Sequence, residues 1–354
     1  MGVGYALAVV HPCCGNIGGG GFSLLPGDME RLQLHTKVFS QQETVAAIFL
    51  DEGEAFQVGE RLVQEELALS LSAIARSGAA AFYQGRIAGA IVQASQEHGG
   101  MLTIEDFTRY RVRQQTPLRC EYRGYEVVTA PPPGGGVTVC QMLTVLAGYP
   151  LAEWGWGSVE SLHSFLSAAL FAYRDRNYYL GDPDNSLFGA KVMAKDTGFL
   201  LNNQMNDFTV KLGEGNQFGL VQGKANQIEP GKQPLSSMSP TIVKKDEMVV
   251  LVTGSPGGAT IPTTVVQVIT NWIDYELDIA EAVNAPRVHY QGLPNWVLTE
   301  PFAVEGDGVW RLWEKGYRVI PFVSWGAAES IQVESEGVWG VNDRRRVAGE
   351  AMGY

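Results

Sequence analysis

Apolar positions recur at helical spacing through much of the first half of the chain. Leu62, Val63, Leu67, Leu71 and Ile74 form one such run, and Gly78 offers it a stop. A second run carries Ile87, Ile91 and Val92 and ends at Gly99–Gly100, so two helices are predicted between residues 60 and 97. Thr103 stands three residues before Asp106, the capping-box spacing that opens a further helix. Helices are also predicted from about Val137 to Ala147 and over 158–179, the latter with Leu162, Phe165, Leu166, Leu170 and Tyr173 on one face.

The second half changes period. "SPTIVKKDEMVVLVTG" reads apolar, polar turn, apolar, the pattern of a β-hairpin, and "ESIQVESEGVWGVND" repeats it near the end. Between them Pro262 opens a helical stretch through Val265, Val266, Val268 and Ile269, with proline where a first helical turn tolerates it. "YRGYEVVTAPPPGGG" is a strand followed by a loop of three prolines and three glycines that cannot be regular. Antiparallel sheet covered by helices in one domain, without internal repeats, is the expectation.

Composition narrows the function classes. With 45% hydrophobic and 18% charged residues, the 354-residue chain has a globular composition and ample core. Its net charge of −12 disfavours a nucleic-acid partner, and Arg344–Arg346, its one basic run, reads as a solvated loop. Cys13, Cys14, Cys120 and Cys140 suggest no disulfide framework, and neither they nor the five scattered histidines suggest a metal. No Lys or Arg precedes Arg31, so the basic start of a signal peptide is lacking, and "MGVGYALAVV" is too short to cross a bilayer. No cofactor is implied.

Three stretches carry candidate chemistry. "GFLLNNQMNDF" (198–208) sets three Asn, a Gln and Asp207 among apolar residues; "PLSSMSP" (234–240) packs three serines between prolines; "GSPGG" (254–258) follows a predicted strand. Each singly is ordinary turn material. Together they suit an amino acid: Asp207 an ammonium, paired hydroxyls a carboxylate, and bare glycine N–H groups a developing oxyanion.

These stretches, with "GNIGGGGF", "YRGYEVVTAPPP", "FGAKV", "PGKQPLSSMSPTIV" and "EAVNAPRVHYQGLP" in this order, closely resemble the γ-glutamyltranspeptidases, or glutathione hydrolases, nearly end to end. The resemblance implies an α+β fold, a four-layer αββα sandwich of the N-terminal-nucleophile hydrolase type, here incomplete. It implies a precursor that cuts itself, after which the freed N-terminal Thr attacks a γ-glutamyl amide with its own α-amine as base. The acyl group then passes to water or an amino acid. By motif, Asp207, Gln204 and Asn185 would hold the substrate ammonium, Ser236 and Ser237 its α-carboxylate, and Gly257 and Gly258 the oxyanion. The partner would be glutathione or another γ-glutamyl compound. Family members are commonly periplasmic or at the cell surface.

Departures from the family pattern bear on activity. The Thr segment that supplies the nucleophile is missing: "GDPD" (181–184) runs straight into "NSLFG" (185–189). Residues 1–184 are thus large-subunit-like, with a gap after about residue 22, and 185–354 small-subunit-like without their Thr segment. The Arg motif expected after "GGGGF" is also missing, and Arg31, the one candidate there, lies in a different context. Asn206 and Ala259–Thr260 replace commoner family residues. Thr263–Thr264, inside a predicted helix, reads as structural. The expectation is therefore a family chain without turnover, with a non-catalytic γ-glutamyl or amino-acid binder as the alternative. A serine hydrolase using Ser255 or Ser237 with His289 lacks the G-x-S-x-G frame.

Overall fold

The computed structural model describes residues 20–180, 191–202, 205, 208–209, 211–216, 220–304, 306–346, 349 and 351. By its contacts the chain divides into two compact units, Met1–Gln114 with Ser186–Asn203, and Gln115–Asn185 with Gln204–Tyr354. This division falls elsewhere than the 184/185 boundary that the family resemblance implies.

The first unit is mainly helical. Strand β1 (Phe22–Ser23) pairs antiparallel with β2 (Arg61–Leu62), and between them lie α1 (Pro26–Phe39) and α2 (Glu43–Phe49). Neither helix is anticipated by the hydrophobic spacing. Pro26 sits in the first turn of α1, where its missing N–H costs nothing, and the Asp28 carboxylate accepts the Leu25 N–H at 3.0 Å. Leu24, Met29, Leu32, Phe39, Val45, Phe49 and Leu62 close a small core. The side chain of Arg31 falls outside the described residues. The stretch read as two helices forms three, α3 (Glu65–Ser77), α4 (Ala79–Tyr83) and α5 (Arg86–Glu97). Gly78 at φ 62° ends the first, as expected. In α6 (Ile104–Arg109) the capping box forms, with Thr103 N–H to Asp106 Oδ2 at 2.8 Å.

The second unit is built on a six-stranded antiparallel sheet in the order β11-β10-β6-β5-β4-β3. Its strands are β3 (Leu118–Tyr122), β4 (Tyr125–Thr129), β5 (Thr241–Lys245), β6 (Met248–Gly254), β10 (Glu329–Glu334) and β11 (Gly337–Val341). Both hairpins expected in the second half are present. The two-residue turns Arg123–Gly124 and Asp246–Glu247 have positive φ at both positions, the geometry that matches strand twist and sets register.

Helices α7 (Gly136–Leu146), α9 (Val159–Tyr179) and α10 (Ile261–Ile273) form the core with one face of this sheet. Val127, Val243 and Leu251 meet Val139, Met142, Leu143, Leu166, Val265 and Ile269 there. Short helices α8 (Leu151–Trp154), α11 (Ile279–Asn284) and α12 (Gly308–Glu314) complete the unit. So does a three-stranded sheet of β7 (Val288–His289), β8 (Val297–Thr299) and β9 (Val319–Pro321). The α+β class is as expected. Among the described residues no helix is long and apolar enough to cross a membrane.

Two expectations are corrected. Cys120 on β3 and Cys140 on α7 form a disulfide, with Cα atoms 5.9 Å apart. Sequence spacing could not show this, because the pair meets only when the helix packs on the strand. The arginine triplet is only in part a solvated loop: Arg344 is exposed, but Arg345 is not. Arg345 donates to Glu300 Oε1 at 2.6 Å and to the Ala285 carbonyl at 2.8 Å, and joins Asp343, which pairs with the buried Arg287. Burial pushes the Asp343 carboxyl up, but Arg287, the Ala328 and Arg345 N–H groups and the Arg345 charge outweigh it and hold it below the usual range.

Candidate functional site

The two serines of "PLSSMSP" occupy different environments. Ser236 is half-buried, and its hydroxyl oxygen accepts the Met238 N–H at 3.0 Å, a local turn that shapes the segment. Ser237 is buried, and its Oγ accepts a hydrogen bond from Arg176 Nη2 on α9 at 2.8 Å. The Ser236 N–H donates to the Pro133 carbonyl. A Cβ at Gly135 would stand 2.6 Å from the Ser237 carbonyl oxygen. The Pro-Gly run that looked irregular in sequence therefore lies directly on the serine segment, and glycine permits the approach.

The second stretch closes strand β6. Ser255 accepts the Ala327 N–H at 3.0 Å and donates to the Pro256 carbonyl at 2.7 Å. Gly257 (φ 138°) and Gly258 (φ 58°) then turn the chain into a 3₁₀ turn, Gly258–Thr260, that leads into α10. The Gly257 carbonyl accepts both the N–H (3.1 Å) and the hydroxyl (2.8 Å) of Thr260. Neither glycine N–H donates to an acceptor among the described residues. Two such donors ahead of a helix N-terminus are suited to an anionic oxygen.

Helix α9 holds both stretches. Arg176 bonds Ser237, and the Tyr173 hydroxyl, one turn earlier, donates to the Ala259 carbonyl inside the 3₁₀ turn. The Arg176 guanidinium lies 5.9 Å from the Tyr173 ring centroid. The sequence reading placed Tyr173 on the apolar face of this helix and missed both roles. The available signal was Arg176, a charge three residues on along that same face.

His289 lies on β7 with its ring edge-on to Tyr173, centroids 5.6 Å apart. Its Nδ1 meets Thr263 Oγ1 at 2.8 Å and its Nε2 meets Gln291 Oε1 at 2.9 Å. Burial pushes its pKa down to about 4, against the Gln291 bond. With both ring nitrogens engaged away from Ser237 and Ser255, the serine-hydrolase arrangement does not form. Thr263 and Thr264 are fully buried in α10, as their structural reading expects. Asn185, Gln204 and Asp207 lie outside the described residues.

Comparison with known proteins bears on this site. The family model described as Gamma-glutamyltranspeptidase matches residues 25–187 and 184–354. The chain is 39% identical to the glutathione hydrolase proenzyme of Pseudomonas sp. (strain A14) over 353 residues, 81% of this chain and 61% of that protein. It is 37% identical to the glutathione hydrolase proenzyme of Escherichia coli (strain K12) over 386 residues, 90% of this chain and 66% of that one. The chain thus spans about three-fifths to two-thirds of the length of these relatives. A crystal structure of cephalosporin acylase from Bacillus halodurans shares the fold, with a TM-score of 0.83 at 22% identity over 98% of this chain and 73% of that one. On the extent of the family match and these identities, the chain belongs to the γ-glutamyltranspeptidase family.

Proposed function

We propose that this chain recognises the γ-glutamyl group of compounds such as glutathione but does not turn them over, because the Thr segment that would supply the nucleophile is missing. The observation that supports the reading is that helix α9 bonds both stretches, through Arg176 to Ser237 and through Tyr173 to Ala259 beside Gly258, while the roles themselves come from the family resemblance. In this reading Ser236 and Ser237 hold the α-carboxylate, Asp207 with Gln204 and Asn185 holds the ammonium, and the Gly257 and Gly258 N–H groups face the γ-carbonyl oxygen. Charge-assisted hydrogen bonds of this kind are the strong polar contacts of a small-molecule site.

Two findings support the internal gap. The family match comes in two pieces that meet at residues 184–187, the junction where "GDPD" runs into "NSLFG". The Escherichia coli match runs over 386 residues, more than the 354 of this chain, so that relative carries interior residues without a counterpart here. Without a covalent nucleophile, only binding and oxyanion contributions to rate remain. Retained binding, the non-catalytic alternative, is then the activity left to this chain.

The test is chromophore release from a γ-glutamyl anilide by the purified chain, with a denaturing gel and a calorimetric titration with glutathione beside it. One intact band, no release and measurable binding are expected. Release accompanied by a cleaved band would refute the reading of the 184/185 junction, and absence of binding would refute retained recognition.

A further inference from the structure

A buried guanidinium is costly unless its donors are used, and Arg176 is 1% exposed. A guanidinium donates and cannot accept. In the 2.8 Å bond to Ser237 the hydroxyl oxygen is therefore the acceptor, and the Ser237 proton is directed away from Arg176. Arg176 thus restricts the rotation of that hydroxyl and places a positive charge one hydroxyl removed from whatever Ser237 donates to. Tyr173 does the corresponding service for the other stretch. Its O–H to the Ala259 carbonyl pins the turn Gly258–Thr260. The two side chains are one helical turn apart, with the guanidinium 5.9 Å from the ring centroid, so one helix carries both contacts.

We infer that Tyr173 and Arg176 are positioning residues that fix the carboxylate-holding hydroxyl of Ser237 and the oxyanion turn at Gly257–Gly258 from a single helix. The inference rests on the γ-glutamyl reading of those two stretches and goes beyond it. It makes α9 a determinant of recognition, and assigns Arg176 an action through Ser237 rather than on the ligand. Neither residue touches the reacting atoms.

The experiment is a double-mutant cycle on the full chain, with L-glutamate as the calorimetric probe. Ser237→Ala and Arg176→Met are each expected to weaken binding about tenfold to a hundredfold, the range of a lost charge-assisted hydrogen bond. The double variant should lose less than the two single losses combined, because the part of the Arg176 effect carried by Ser237 is already gone in Ser237→Ala, and Arg176→Lys should recover part of the loss. Melting curves precede the titrations, and Arg176→Lys carries the cycle if Arg176→Met does not fold. In parallel, Tyr173→Phe should speed hydrogen exchange at the Thr260 and Ile261 amides without changing Met238, and the Arg176 variant should do the reverse.

Fully additive losses in the cycle would overturn the inference while leaving the site reading intact. So would equal loosening of both stretches by either variant. A parent chain that binds no glutamate would overturn the site reading, and the inference with it.

Discussion

On one face of the six-stranded sheet Val127, Val243 and Leu251 pair across three strands, each with 0% of its surface exposed. On the other, Val128, Ile242, Val252 and Ile331 pair across four strands, with Ile242 39% and Ile331 43% exposed. The residue types are nearly the same, and the surroundings are not. Strands with apolar residues on both faces belong to a sheet covered on both sides. Here the covering helices α7, α9 and α10 account for one face. Among the described residues the second face is only partly covered, with Val128 and Val252 half-buried. The contrast teaches that the burial of a strand residue depends on which elements pack over its face rather than on its own type.

The contrast between faces can be broken by mutation. Leu251→Ala should cost about 2–5 kcal/mol in urea unfolding, from lost burial and the cavity left behind. Acidification should act on the covered side too, because His289 sits among the helices there. Its pKa is depressed in the folded chain, to about 4, so between pH 6.5 and 4 the unfolded chain takes up a proton that the folded chain refuses. Stability should therefore fall by about 3 kcal/mol across that window and level off below it, and His289→Gln should flatten the slope. Asp343, held below the usual range, adds loss in the same direction as pH falls further.

Tyr122→Phe should cost about 1–3 kcal/mol, since the buried Asp274 loses the hydroxyl donor it holds at 2.6 Å. Ile242→Thr, on the open face, should change stability by no more than about 0.5 kcal/mol, and light scattering should show less self-association. A cost for Ile242→Thr approaching that of Leu251→Ala would mean the open face is covered after all.

Much of this architecture was legible in the chain. The capping box at Thr103–Asp106, the long helix ending at Tyr179, both hairpins and the proline-started helix at 262 follow from local periodicity and turn chemistry, which act within a few residues. Helix α1 was not legible. Its apolar positions do not form one stripe, and Leu34 is 72% exposed, so capping and tertiary packing stabilise it rather than amphipathicity. The Cys120–Cys140 bond and the ion pairs of Arg345 were hidden for a related reason, because their partners arrive from other elements.

The candidate site divides in the same way. Ser236, Ser237, Gly257 and Gly258 could be chosen from short motifs, since paired hydroxyls and bare N–H groups taken together suit a carboxylate and an oxyanion. Tyr173 and Arg176 could not, because Arg176 meets Ser237 across 61 residues and Tyr173 meets Ala259 across 86.

By itself the sequence determined most of the local elements of the second unit, its two late hairpins and the family motifs, because hydrogen-bonding period, capping and backbone freedom are properties of neighbouring residues. Only the tertiary structure decided that Ser237 is the buried serine of its pair, that its oxygen is held by a guanidinium, and that, among the described residues, one face of the sheet is buried and the other only partly covered. Those outcomes depend on which distant side chains come into contact, and burial and charge have no value until that contact is made.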